Sequence, residues 1–284
     1  MNERLTVGDC ATLACLLEAT APKPGNVHRG ADFEDLGFVD LVVSAVAIRP
    51  AMEHAAQAGV GQTVRRAIAA TRALVPTNSN LGMVLVLAPL AAVPRAEPLT
   101  SRAVRRVLDS LTAEDCHRVW EAFRVAQPGG MGKVDSMDVT GPPPDDLVAA
   151  MRAAQERDLI ARQYVDGFTL IFEEVVPLLE SGRQAGWTLT TAIIHTHVTL
   201  LARYGDSLIA RKCGPAVARQ AASLAQSVLV AGQPGEEAYE RALADLDFWL
   251  RSDGHRRNPG TTADLVAGGL FVLLRDGRWT PPWK

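Results

Sequence analysis

Leu81-Gly-Met-Val-Leu-Val-Leu-Ala-Pro-Leu-Ala-Ala-Val93 is the most apolar run of the chain, and its reading decides the fold class. It falls well short of the roughly 20 apolar residues that cross a bilayer core, and Pro89 interrupts it. Met83 to Leu87 has residue types that suit a short strand, yet no partner strand is evident elsewhere in the sequence. Around the run, helical patterning extends from end to end. The expected fold is therefore all-α: a compact multi-helix bundle, a single domain over residues 1–284, with an active-site cleft formed by inter-helix loops.

Composition agrees. Hydrophobic residues at 48% and charged residues at 21% suit a chain that buries a substantial core, and they exclude a disordered one. Aromatic residues are scarce at 5% while Ala, Leu, Val and Arg recur, which favours helices packed through small side chains over a β-sandwich. A net charge of −3 argues against nucleic acid as a partner but allows a local basic site for phosphates. Cys10, Cys15, Cys116 and Cys213 form no CxxC pair and have no metal-type spacing to the histidines. Reduced thiols in a cytoplasmic protein are expected. Met-Asn-Glu-Arg at the start lacks the cationic start and apolar core of a secretory signal. No membrane segment is expected, and a homodimer is left open.

Along the chain, Thr6 and Asp9 form a capping pattern for a first helix that ends near Thr20. Phe38 to Gln57 is apolar on nearly every face, which predicts a buried helix broken at Arg49-Pro50. Gly61 to Leu74 predicts a third helix, stopped by Pro76. Residues 100–111 and 113–126 predict two more, with Thr112 and Asp115 capping the second. Asp145 to Leu179 reads as one long helical stretch, open to interruption at Gly167 and Pro177. Thr188 to Tyr204, Pro215 to Val230 and Glu236 to Arg251 follow, punctuated by glycine. Thr261 and Asp264 repeat the capping pattern before a last helix, Leu265 to Arg275.

Polar, glycine-containing segments between the helices are where binding groups are expected. In Ala21-Pro-Lys-Pro-Gly-Asn-Val-His-Arg29, two prolines stiffen the loop and Gly25 allows close backbone approach. Lys23, His28 and Arg29 bring positive charge that suits a polyphosphate, and solvated charges on a rigid connection explain the same letters. Thr77 to Gly82 precedes the apolar run, so Asn78, Ser79 or Asn80 caps it, or its free N–H groups face an anion. Pro128-Gly-Gly-Met-Gly-Lys133 is glycine-rich but lacks the phosphate-loop pattern and reads first as a flexible turn. Asp158 and Arg162 stand at i and i+4, so a surface ion pair competes with a cleft role in which Asp158 is base or Mg²⁺ ligand and Arg157 or Arg162 holds phosphate. Asp206-Ser-Leu-Ile-Ala-Arg-Lys212 faintly echoes that segment with one inserted residue; capping by Asp206 is its simplest reading. Asn258-Pro-Gly-Thr-Thr-Ala-Asp264 opens the last helix, and Asp264 could double as a metal ligand. His195 and His197, at i and i+2, point to different faces and read as core or supporting residues, not a metal pair.

Taken in order, five of these stretches resemble the triphosphoribosyl-dephospho-CoA synthase family across almost the whole chain. They are Glu18 to Asn26, Asn80-Leu-Gly82, Arg157 to Arg162, Asp206 to Lys212, and Asn258 to Leu265. The first and last are the most specific. The resemblance implies an all-helical transferase in which the ribose 2′-hydroxyl of 3′-dephospho-CoA attacks the anomeric carbon of ATP and adenine leaves. ATP is then a substrate and Mg²⁺ an expected companion. Asp158 or Asp206 is implied as the catalytic base or metal ligand, with Asp264 as a further Mg²⁺ ligand. Lys23, Arg29, Arg211 and Lys212 are implied for phosphate, and Asn26, Asn80 and Asn258 for ribose or base. Gly25, His28, Arg157 and Arg162 complete the expected binding set.

The middle segment departs from the family pattern, since Pro76 to Met83 has neither the His nor the Lys of a Gly-Gly-Val-Asn-Thr-His-Lys-Gly motif. Two alternatives follow from that departure. One is α-phosphoribosyl transfer, from phosphoribosyl pyrophosphate or ATP, to a pterin precursor in tetrahydromethanopterin biosynthesis. The other is a non-catalytic helical nucleotide-binding protein.

Overall fold

A computed structural model of the chain describes residues 5–127 and 141–280. The first segment holds α1 (Val7–Thr20), α2 (Phe38–Ala47), α3 (Arg49–Glu53), α4 (Ala55–Ala58), α5 (Val60–Arg72), α6 (Leu81–Ala92), α7 (Ser101–Asp109) and α8 (Ala113–Ala126). The second holds α9 (Leu147–Ala154), α10 (Leu159–Asp166), a π-helical turn (Ile171–Val175), α11 (Val176–Gln184), α12 (Leu189–Tyr204), α13 (Ser207–Cys213), α14 (Pro215–Ala231), α15 (Glu237–Arg251) and α16 (Gly260–Arg275). Among the described residues there is no strand, so the all-α expectation stands, and Met83 to Leu87 is helical. None of these helices is long and apolar enough to cross a membrane.

Two apolar centres organise the frame. The larger joins α1, α3, α5, α6, α8, the α10–α11 region and α16. The smaller lies between α12, α13, α14 and α15. Helix α16 is buried along nearly its whole length, and α6 packs against it with Val84, Val86, Leu87 and Leu90 fully enclosed. A helix that is apolar all round must be covered on every side. That requirement explains why the most hydrophobic run of the sequence sits at the centre. Pro89 is accommodated inside α6 without ending it.

Local signals set several boundaries. Thr6 with Asp9, and Thr112 with Asp115, form reciprocal capping boxes at α1 and α8. The break expected at Arg49-Pro50 falls at Ile48, with Pro50 in the first turn of α3, where a missing N–H leaves no bond unmade.

Other expectations need correction. Helix α2 is not buried: only Ser44 and Ala45 are enclosed, while Val39 is 70% and Val46 55% exposed. The stretch 145–179 is broken at 155–158 as well as at left-handed Gly167, and Pro177 begins α11 instead of interrupting a helix. Thr261 and Asp264 do not cap the last helix, which starts at Gly260 and carries both residues inside it. The glycine-rich stretch Pro128 to Lys133, with the rest of the 129–140 loop, lies outside the described residues.

Candidate active site

Four helix starts meet at one place. Residues at the N-terminal ends of α6 (Asn80 to Gly82), α10 (Asp158 to Ile160), α13 (Asp206 to Leu208) and α16 (Gly260, Thr261, Asp264) line a single cleft of about 2240 Å³. Helix N-termini direct unpaired N–H groups and a partial positive charge at whatever lies in front of them. The cleft lies where the larger apolar centre faces the smaller one, with α13 and α14 forming one wall.

Three of these helix starts are tied together by side chains. Asp206 caps α13, its Oδ1 accepting from Leu208 N (2.9 Å) and Ile209 N (3.0 Å). Its Oδ2 accepts from both the N–H and the hydroxyl of Thr262 on α16, each at 2.8 Å. Ser207 accepts from Leu159 N of α10 (3.3 Å) and donates to Thr261 Oγ1 (3.0 Å). The four lone-pair sites of the Asp206 carboxylate are thus occupied by protein donors. Burial pushes its proton affinity above the ordinary carboxylate range, and the donors oppose that shift.

Asp158 has the equivalent cap on α10. Its Oδ1 accepts from Ile160 N (2.8 Å) and Ala161 N (3.2 Å), and its Oδ2 from Arg211 Nη1 (3.0 Å). The expected Asp158–Arg162 pair does not form, because a capping residue stands before the helix and not on its face; Arg162 instead approaches Glu156 at 3.8 Å. The faint echo between the two Asp segments therefore corresponds to two matching caps that face one cleft.

Asp264 differs from both. It lies partly open on the cleft floor, and among the described residues it accepts no hydrogen bond and makes no ion pair. Burial first, then the carboxylates of Glu18, Asp206 and Asp158, raise its proton affinity well above the ordinary range, with Arg211 opposing. An unsatisfied acid of this kind in a cleft is a mark of function.

The walls are cationic. Arg72, Arg124, Arg157, Arg162, Arg203, Arg211, Lys212, Arg219 and Arg256 outnumber the six Asp and Glu residues of the lining, in a chain whose net charge is −3. Arg157 and Lys212 have no side-chain partner among the described residues. Asn80, 6% exposed, donates to Thr71 Oγ1 at 3.0 Å and keeps a buried Oδ1 without a partner among the described residues. Asn78, not Asn80, caps α6 through Leu81 N at 3.1 Å.

The Ala21–Arg29 loop sits elsewhere: Lys23, Gly25, Asn26, His28 and Arg29 do not line the cleft. Lys23 is fully buried, ion-paired to Glu18 at 2.7 Å and donating to the carbonyls of Glu18 and Ala21. At Gly25 (φ +75°) an added Cβ would stand 2.8 Å from Leu250 Cβ and 2.9 Å from Pro259 Cδ, so its close approach is to protein and not to ligand. Asp247 and Arg251 of α15 hold the loop at Gly25 N and Asn26 O. Asn26 links it to the cleft, donating to Asn258 Oδ1 at 2.6 Å, and Asn258 is a lining residue.

The histidines confirm the reading of separate faces. His195 contacts Tyr239 OH at 3.1 Å, whereas His197 is fully buried with both ring nitrogens unpartnered among the described residues, and burial drives its proton affinity down. Among the described residues no group of three or more His, Cys, Asp or Glu side chains has metal-holding geometry, so Asp158, Asp206 and Asp264 do not build a cage. Sequence reasoning gave no role to Ser207, Thr262 or Gly82, although all three stand in stretches it singled out; the hydroxyls of Ser207, Thr261 and Thr262 beside Asp206 and Asp264 were the available signal.

Frame and cleft together define a class: an all-helical enzyme for polyphosphorylated nucleotides. The chain belongs to the CitG family, ATP:dephospho-CoA triphosphoribosyl transferase, which it matches over residues 4–281. A crystal structure described as a triphosphoribosyl-dephospho-CoA synthase from Archaeoglobus fulgidus has the same fold, with a TM-score of 0.63 and 26% identity, over 85% of this chain and 99% of that one. No curated protein matches the sequence at a significant level.

Proposed function

We propose that this chain transfers the triphosphoribosyl group of ATP to the ribose 2′-hydroxyl of 3′-dephospho-CoA, with release of adenine. Family membership supports the reaction. The observation that carries it at the level of geometry is the convergence of four helix starts and nine cationic side chains on one cleft. Its 2240 Å³ exceeds the roughly 300–1,000 Å³ of a cleft built for one small ligand, as a bisubstrate reaction requires.

Arg157, Arg211 and Lys212 bind the triphosphate. Asn80 and Asn258 orient a ribose or a base. Breaking an N-glycosidic bond builds positive charge on the sugar, which nearby carboxylates stabilise. A single displacement inverts the anomeric carbon, so nucleophile and leaving base occupy opposite faces. Asp206 acts as a structural pin beneath the site, since its lone pairs are already used. Mg²⁺ enters as part of the ATP substrate, because it is held through one or two carboxylates plus substrate phosphates more often than by an all-protein cage.

The pterin-acceptor and non-catalytic readings gain no support from the family match. Purified protein incubated with ATP, Mg²⁺ and dephospho-CoA should release free adenine and form a heavier CoA derivative by mass spectrometry. Pyrophosphate release from phosphoribosyl pyrophosphate with a pterin acceptor, and no adenine from ATP, would refute the assignment.

A further inference from the structure

The acids of the cleft divide by what holds them. Asp158 and Asp206 accept hydrogen bonds from helix N–H groups, and each has a protein partner at its second oxygen. Asp264 has neither, although it stands among them. What fixes its position is the absence of a side chain opposite. A Cβ built on Gly82 would stand 2.0 Å from Asp264 Oδ2 and 2.8 Å from its Cγ, with Ile160 Cδ1 at 2.9 Å on the other side. Gly82 lies in the first turn of α6 with ordinary helical backbone, so the chain's own conformation does not call for glycine there. The gap is occupied by the carboxylate.

We propose that Asp264 is a catalytic carboxyl of the transfer reaction, in contact with the reacting nucleotide, and that Gly82 is the positioning residue that seats it. The proposal rests on the transferase reading above. In the reaction the acceptor's 2′-oxygen forms the new bond to C1′ as the C1′–N9 bond breaks. The bonding electron pair leaves with adenine, which must gain a proton, while the hydroxyl loses one. Asp264 gives its proton to the departing adenine. The proton lost by the hydroxyl passes to solvent, and solvent reprotonates Asp264 after turnover. Its oxygens are open to that contact, since among the described residues no protein donor holds them and Gly82 leaves the space they occupy.

The test is a double-mutant cycle on the intact protein, following adenine release and thermal melting. Asp264→Asn and Gly82→Ala should each lower kcat by about 100-fold or more, with KM for ATP within about threefold of the wild type. Asp264→Glu, which pushes the carboxyl into the space above Gly82, should give the same pattern and serves if Gly82→Ala does not fold. In the Asp264→Asn background, Gly82→Ala should change kcat by less than about twofold, because its effect runs through a carboxylate already gone. Independent, multiplicative losses would overturn the positioning role. Rescue of Asp264→Asn by raised Mg²⁺ would overturn the proton role and make the residue a metal ligand. A wild type that releases no adenine refutes the transferase reading instead. The seat is then decided by the ¹³C carboxyl resonance of Asp264, which should move in Gly82→Ala; no movement would overturn it.

Discussion

Replacing Asp206 by Ala should damage the fold far more than replacing Asp158, although both residues cap helices at the same cleft. Removing either cap costs about 1 kcal/mol. Asp206 also accepts from Thr262 N and Thr262 Oγ1, both at 2.8 Å, and it is 2% exposed. Buried donors left without an acceptor cost about 1–3 kcal/mol each. Losing the desolvated carboxylate offsets part of that penalty, which leaves an expected destabilisation on the order of 3–5 kcal/mol. Asp158 is half-open, and its second partner Arg211 is an ion pair of the kind worth about 0–1 kcal/mol, so Asp158→Ala should cost about 1–2 kcal/mol. Against a typical domain stability of about 5–15 kcal/mol, the first loss is severe and the second mild. Urea unfolding followed by tryptophan fluorescence measures both. Equal losses, or a loss below about 1 kcal/mol for Asp206→Ala, would refute the view that Asp206 pins α13 to α16.

Further outcomes follow from the same contacts. Lys23→Met should leave the Glu18 carboxyl without its partner in the interior and cost about 3–5 kcal/mol by urea unfolding, while the double replacement Glu18→Leu with Lys23→Met should be much milder. Arg29→Ala, on a residue outside the cleft, should leave KM for ATP within about twofold, whereas Arg211→Ala or Lys212→Ala should raise it about tenfold or more, with weaker dependence on salt. Asp264→Asn should stabilise the fold as pH rises. The native Asp264 holds its proton above the ordinary carboxylate range, so above about pH 4 the folded state retains a proton that the unfolded chain has released. Wild-type stability therefore falls with pH through that window. The variant lacks this slope, and its advantage should widen from about pH 4 upward in urea titrations; parallel curves would contradict it.

Helix boundaries were legible wherever a short-range signal is sufficient on its own. The Thr6–Asp9 and Thr112–Asp115 boxes, and the break before Pro50, depend on neighbours a few residues away. Burial was less legible, because apolar letters do not say what covers them: Val39 and Val46 on α2 are exposed while the similar Val84 and Val86 on α6 are enclosed. Thr261 and Asp264 fitted a capping pattern that α16 does not use, since its start is fixed by Asp206 reaching Thr262 from 56 residues away. Lys23 read as a phosphate ligand for a similar reason: sequence displays a positive charge but not the Glu18 carboxylate that holds it inside the protein. The convergence of Lys23, Asp158, Asp206 and Asn258 in one pocket was expected from the family resemblance; Asp158, Asp206 and Asn258 line one cleft, and Lys23 does not. Gly82 stood in the Asn80-Leu-Gly82 stretch, but the letters do not display the contact across the cleft in which its importance lies.

The most direct measurement uses ATP labelled with ¹³C in its ribose, incubated with the protein, Mg²⁺ and dephospho-CoA. Mass spectrometry should find unlabelled adenine, and a CoA derivative heavier by the labelled ribose and three phosphates. Label recovered only in AMP or ADP, with no free adenine formed by folded protein, would contradict cleavage at the anomeric carbon.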